Sequence, residues 1–204
     1  SSTSLLPGQV SGLTGVSAVS AGSQHSLALK ADQTVWSWGQ NTAGQLGNNS
    51  LVDSNTPVQV AGLSGVVSVA GGVEYSAALK NDNTVWAWGK NSYGQLGSCP
   101  SCLSTNGTIY TATPIQLISA AKAIAVGLFH TLAIKTDGTV WQWGTGNGVT
   151  SIPTAVSGLS AVTAISGGAG FSVALSGGAV WTWGNNGNGQ LGVGNAISSA
   201  TPQR

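Results

Sequence analysis

Charge is the scarcest resource in this sequence. Six Lys and Arg and five acidic residues are spread over 204 positions, for a formal net charge of +1. Such a sparse scatter lacks the clustered basic footprint of a nucleic-acid binder, so no nucleic-acid partner is expected. Methionine is absent, and the chain opens Ser1-Ser2-Thr3 without signal-peptide features, which reads as a processed mature protein or an excised domain. No apolar run reaches the roughly 20 residues of a membrane helix, so no membrane insertion is expected. Helical periodicity is missing throughout. Low charge beside 41% hydrophobic content also excludes the composition of a disordered chain. A chain of this length can bury roughly 70% of its unfolded surface, enough for a real core.

What is present is a repeat. Val35-Trp36-Ser37-Trp38-Gly39 returns as Val85-Trp86-Ala87-Trp88-Gly89, Val140-Trp141-Gln142-Trp143-Gly144 and Val180-Trp181-Thr182-Trp183-Gly184. These copies hold all eight tryptophans. Residues i and i+2 of a strand share a face, so each copy is expected to put two indoles on one side as its main hydrophobic payload. The glycine after them marks a bend or a close backbone approach.

Each copy follows two short segments bounded by Gly, Asn or Asp: 16–20 with 25–30, 66–70 with 75–80, 123–126 with 130–135, and 162–166 with 171–176. They read as strands. Lys30-Ala31-Asp32-Gln33-Thr34, Lys80-Asn81-Asp82-Asn83-Thr84 and Lys135-Thr136-Asp137-Gly138-Thr139 read as hairpin turns with soluble tips. A fourth segment follows the tryptophans, at 56–60, 113–117 and 152–156. The proline each contains suits an outer edge, where no ladder bond is lost. Four antiparallel strands repeated radially make a propeller blade, so the expected fold is all-β, a β-propeller of four four-stranded blades.

The full pattern, V-x-x-x-G-x-x-H-S-L-A-L-K-x-D-x-T-V-W-x-W-G-x-N-x-x-G-Q-L-G, resembles the repeat of the regulator of chromosome condensation family. Its N-x-x-G-Q-L-G part stands at 41–47, 91–97 and 186–192, while the third unit runs Thr145-Gly146-Asn147-Gly148-Val149 and lacks it. The resemblance implies a ring that usually closes with seven blades. Here the units are read at about 14–60, 64–117, 121–156 and 160–204, with residues 5–13 as an out-of-phase outer strand. Thr201-Pro202-Gln203-Arg204 reads as an outer strand that has barely begun, so the N-terminal segment is expected to pair beside 180–184. Completion between chains, giving a homo-oligomer or polymer, is expected ahead of closure within one.

Candidates for chemistry are few. Cys99-Pro100-Ser101-Cys102 leaves three readings open: a local disulfide first, then reduced thiols, then a metal or redox site. A disulfide implies an oxidising compartment. Gly187-Asn188-Gly189-Gln190-Leu191-Gly192 matches a nucleotide-loop pattern literally, but no helix follows, so it reads as turn chemistry. His25 and His130 share a repeat position with Tyr75 and Phe171, which reads as a packing slot; no acidic residue stands near either histidine in sequence. Asn48-Asn49-Ser50 and Asn106-Gly107-Thr108 fit the glycosylation pattern. No catalytic residues, metal or cofactor are expected.

Variation between copies is concentrated between the first and second strands, at Ser23-Gln24, Val73-Glu74, Leu128-Phe129 and Ala169-Gly170. In a propeller these loops gather on one face, and recognition is carried by loops on a constant scaffold. The expected partner-binding set is therefore these eight residues with His25, Tyr75, His130 and Phe171. The alternative is ordinary loop variation. In relatives with this repeat, including a secreted bacterial β-lactamase inhibitor, such loops resemble the partner-binding surface. The leading expectation is a non-enzymatic extracellular or cell-surface module that binds a protein. A self-assembling structural protein comes next. A guanine-nucleotide exchange or chromatin-associated factor, as the family resemblance also implies, comes third, and an enzyme last.

Overall fold

The computed structural model describes residues 6–144 and 151–204, and among them all regular structure is β-strand. The first blade is β1 (Val16–Ala21), β2 (His25–Lys30), β3 (Val35–Gly39) and β4 (Ser54–Gln59), paired in that order. The second is β5 (Val66–Gly71), β6 (Tyr75–Lys80) and β7 (Val85–Lys90), then β8 (Leu103–Thr105) and β9 (Thr108–Ile118), with β9 next to β7 and β8 outermost. The third is β10 (Ala121–Val126), β11 (His130–Lys135), β12 (Val140–Gly144) and β13 (Thr154–Ala155). The fourth is β14 (Val162–Gly167), β15 (Phe171–Ser176), β16 (Ala179–Gly184) and β17 (Ser199–Gln203). Every pairing is antiparallel; three blades run in sequence order, and the second departs from it only where β8 lies outside β9. The fold is an all-β propeller arc of four blades.

The hairpins are built as their residues dictate. Asp32, Asp82 and Asp137 each accept from the backbone N–H and the hydroxyl of the Thr two residues on. Gln33, Asn83 and Gly138 take the left-handed backbone that closes the turn. The outer prolines also sit where expected. Pro57 and Pro202 lie on edge strands, and Pro114 lies on β9 beyond the stretch 108–110 that β8 covers.

The hydrophobic core lies between blades. Leu27, Leu29 and Val35 of the first blade pack with Val66, Ala78 and Trp88 of the second. Leu79 and Val85 meet Ala121, Ala133 and Trp143, and Leu132, Ile134 and Val140 meet Val162, Ala174 and Trp183. The two indoles of the second, third and fourth copies share a cluster, as expected, but are buried unequally. Trp88, Trp143 and Trp183 are fully buried because each enters the junction with the preceding blade, whereas Trp36, Trp86, Trp141 and Trp181 are half-buried. Trp38 stays half-exposed, with no preceding blade among the described residues.

The ends also differ from expectation. β17 itself pairs with β16, Thr182 opposite Gln203 and Gly184 opposite Ser199. The outer place beside β16 is thus filled from within the fourth unit. Residues 6–13 form no strand and lie almost wholly exposed. The departure expected at 145–149 lies outside the described residues.

Candidate partner-binding face

The loop after each first strand begins with a glycine that an aromatic ring makes obligatory. A Cβ on Gly22 would come within 2.2 Å of the His25 ring, and one on Gly72 within 2.0 Å of Tyr75. Gly127 and Gly168 stand in the same relation to His130 and Phe171. The ring is folded inward, under its own loop.

That orientation removes three residues from the expected binding set. His25, Tyr75 and His130 are buried, and each reaches the following blade. His25 Nε2 lies 2.9 Å from Ser76 Oγ, whose single proton is donated to Gln45 O at 2.9 Å. Ser76 therefore accepts from His25, which fixes a neutral imidazole protonated at Nε2. His25 Nδ1 has no partner among the described residues. His130 meets Ser172 Oγ at 3.1 Å, while Tyr75 donates to His130 O at 2.5 Å. Burial pushes both histidines down to about 4 and the Tyr75 phenol up. These side chains join blades and are unavailable to a partner. Phe171, with no blade after it among the described residues, is partly exposed.

The variable pairs do converge. Ser23, Val73, Leu128 and Ala169 line one groove of about 330 Å³, where the inner strands of all four blades end at a glycine: Gly22, Gly72, Gly127 and Gly168. Ser23 N–H donates to Gly72 O and Leu128 N–H to Gly168 O, which fixes the rim from blade to blade. The second residue of each pair turns toward the loop after the W-x-W-G strand. Gln40, Lys90 and Asn185 donate backbone N–H groups to the carbonyls of Gln24, Glu74 and Gly170 at 2.8 Å. Gly89 permits this approach. Its φ is +101°, and a Cβ there would lie 2.6 Å from Glu74 O.

Between the second and third blades these loops carry a side-chain cluster. Lys90 Nζ lies 2.5 Å from Glu74 Oε2 and sits 5.9 Å from the centre of the Tyr93 ring. Tyr93 packs on Phe129 with ring centres 4.5 Å apart and planes at 45°. Tyr93 is 44% exposed and the neighbouring Leu128 42% exposed. The result is an apolar, aromatic surface with an ion pair at its edge.

The regulator of chromosome condensation (RCC1) repeat matches residues 32–79, 82–134 and 177–204, and a second model of the same repeat matches 16–45, 66–95 and 121–148. The chain belongs to this repeat family. Human WBSCR16 is similar at 26% identity and a TM-score of 0.80, over 93% of this chain and 52% of its own. Prp20p of Saccharomyces cerevisiae, described with its binding to Gsp1p and histones, is similar at 24% identity and a TM-score of 0.81, over 96% and 52%. The same yeast protein bound to Kap60 gives 22% identity and 0.82, over 96% and 50%. The chain thus spans about half the length of these proteins.

Within this RCC1-repeat arc, the N-x-x-G-Q-L-G segments are scaffold. Asn41, Asn91 and Asn186 accept from the N–H of Leu46, Leu96 and Leu191, and donate to carbonyls further along their loops. The 187–192 glycines close tight turns with no helix after them. Sequence reasoning missed Lys90 and Tyr93 because they lie in this repeated segment. The available signal was Tyr93 where the other copies have Ala43 and Asn188, and Lys90 where they have Gln40 and Asn185. Cys99 and Cys102 are bridged. Asn48 accepts a hydrogen bond from Asn41, while Asn106 lies exposed at the turn between β8 and β9.

Proposed function

We propose that the chain is a non-enzymatic module that binds a protein partner outside the cytosol, across the loop face of the second and third blades. The observation that carries this reading is the Tyr93–Phe129 pair with half-exposed Leu128, edged by Lys90 and Glu74. Binding energy at protein interfaces concentrates in aromatic anchors ringed by polar groups, and this cluster has that composition. The rigid glycine rim beneath it lowers the ordering cost of binding. The fold relative Prp20p is a protein binder by description. The Cys99–Cys102 bridge supports an oxidising compartment. Neither histidine is placed to act as a base, since both are buried against serine hydroxyls.

The test begins with a photo-crosslinking residue at position 129 and a control at exposed Thr163. A partner crosslinked at 129 alone is then purified and its affinity measured. Tyr93→Ala and Phe129→Ala are each expected to weaken Kd about tenfold or more, roughly 1.4 kcal/mol, with melting temperature unchanged. Unchanged Kd in both variants would move the partner off this face.

A further inference from the structure

The N-x-x-G-Q-L-G loops at 41–47, 91–97 and 186–192 share one internal plan. In each, the asparagine side chain accepts from the leucine N–H five residues on, at 2.8–2.9 Å. Gly44, Gly94 and Gly189 donate to that asparagine's carbonyl, and Gly47, Gly97 and Gly192 to the glycine before. What differs is the outer anchor. Asn41 Nδ2 donates to Ser50 O at 2.9 Å and Val52 O at 3.1 Å, nine and eleven residues ahead. Asn186 Nδ2 reaches Asn195 O at 2.8 Å and Ile197 O at 3.1 Å, again nine and eleven ahead.

In the second blade a sulfur stands where the carbonyl stood. Asn91 Nδ2 donates to Gly97 O inside its own loop, and beyond it reaches Cys102 Sγ at 3.9 Å, also eleven residues ahead. A neutral sulfur is a weak acceptor. Its place is set by the bridge to Cys99 and by packing against the cluster of Tyr75, Ala77, Ala87 and Leu96. The loop so anchored is the one that carries Tyr93, packed on Phe129. Both cysteines are half-buried and the two residues between them are exposed, so a small dithiol reaches the bridge.

We propose, resting on the partner-binding reading of this face, that the Cys99–Cys102 bridge is a redox-sensitive clasp on the Tyr93 loop. Closed, it holds the aromatic surface in its binding form; a dithiol reductant opens it. One reductant thiolate attacks a bridge sulfur, breaking the Cys99–Cys102 bond and forming a mixed disulfide. The second reductant thiolate displaces that cysteine and closes the reductant's own disulfide. Two electrons and two protons end on Cys99 and Cys102 as thiols. Cys102 is then no longer tied to Cys99, and Asn91 loses the fixed position of its outer acceptor. The loop keeps its internal bonds and the backbone bond from Asn91 N–H to Ile109 O at 2.6 Å, so it loosens without unfolding the blade. The 41–47 and 186–192 loops, anchored on carbonyls, do not respond.

Amide hydrogen exchange of the full chain, with and without dithiothreitol, tests the clasp without a partner. Reduction should speed exchange at Leu96 and Gly97 roughly fivefold or more, while Leu46, Gly47, Leu191 and Gly192 stay unchanged as internal controls. Cys99→Ala leaves the Cys102 sulfur in place but unbridged, and should exchange as the reduced chain does whether or not dithiothreitol is present. Unchanged rates at Leu96 and Gly97, or an equal rise in all three loops, overturns the proposal. With the partner captured at position 129, reduction should weaken Kd about threefold or more, and Cys99→Ala should do the same without reductant. A loosened loop with unchanged Kd overturns the switch and leaves the partner-binding reading standing. That reading fails separately, on unchanged Kd in Tyr93→Ala and Phe129→Ala.

Discussion

His25 and His130 show how one repeat position serves cohesion between blades. In the fold each is neutral, buried, and bonded to a serine of the next blade. Burial lowers their pKa from 6.5 to about 4. Between those values the unfolded chain binds protons that the folded chain refuses. Stability is therefore complete above pH 6.5 and declines as pH falls toward 4, by up to about 1.4 kcal/mol per pH unit for each histidine. The three hairpin carboxylates are also held below their ordinary value, so whatever they contribute is lost only at still lower pH. Urea denaturation across pH 7 to 4 should show this slope, and the double variant His25→Phe, His130→Phe should flatten it. Phenylalanine is the fair replacement because Phe171 fills the slot in the fourth blade. An unaltered slope in the double variant would assign the acid sensitivity elsewhere.

At the scale of elements, period and turn chemistry made most strands legible. The W-x-W-G strand, its two predecessors and the hairpin tips follow from alternation and from Asp at turn starts. The outer strands were less legible, because they are held by pairing with β3, β7, β12 and β16 more than by their own residues. β13 is only Thr154–Ala155, while β9 runs for 11 residues and adds β8 beyond it. The loop face was legible as variation between copies, but the inward turn of His25, Tyr75 and His130 was not. It depends on Gly22, Gly72 and Gly127 and on a neighbouring blade that no local pattern contains. The β8–β9 extension carries its own staple at Cys99–Cys102, which closes a loop separated by three positions. A bridge stabilises chiefly by restricting the unfolded chain, least for the shortest loops, so reduction should cost at most about 2 kcal/mol and shift melting temperature by no more than about 7 °C. Free-thiol titration of the denatured, unreduced protein should find almost none. Two titratable thiols, or a large melting shift on reduction, would contradict this placement of the bridge.

For the whole molecule, a blade's place in the arc decides what its residues contribute. Repeat proteins are quasi-one-dimensional: stability is a sum of unit terms and nearest-neighbour junctions. Trp38 and Trp88 occupy the same repeat position, yet among the described residues Trp88 has a blade before it, to whose Gln45 O it donates its indole N–H at 2.9 Å, and Trp38 has none. An indole of about 200 Å² buried at about 25 cal/mol/Å² represents roughly 5 kcal/mol of transfer free energy. Truncation in a packed site leaves a cavity as well, so Trp88→Ala should cost about 3–5 kcal/mol. Trp38→Ala removes a side chain still partly in water and should cost less than about 2 kcal/mol, since little of its area is lost from a packed junction. Urea denaturation of the two variants measures the difference. Equal losses at the two positions would mean that Trp38 is packed by something in the single chain, and that stability does not follow the order of blades along the arc.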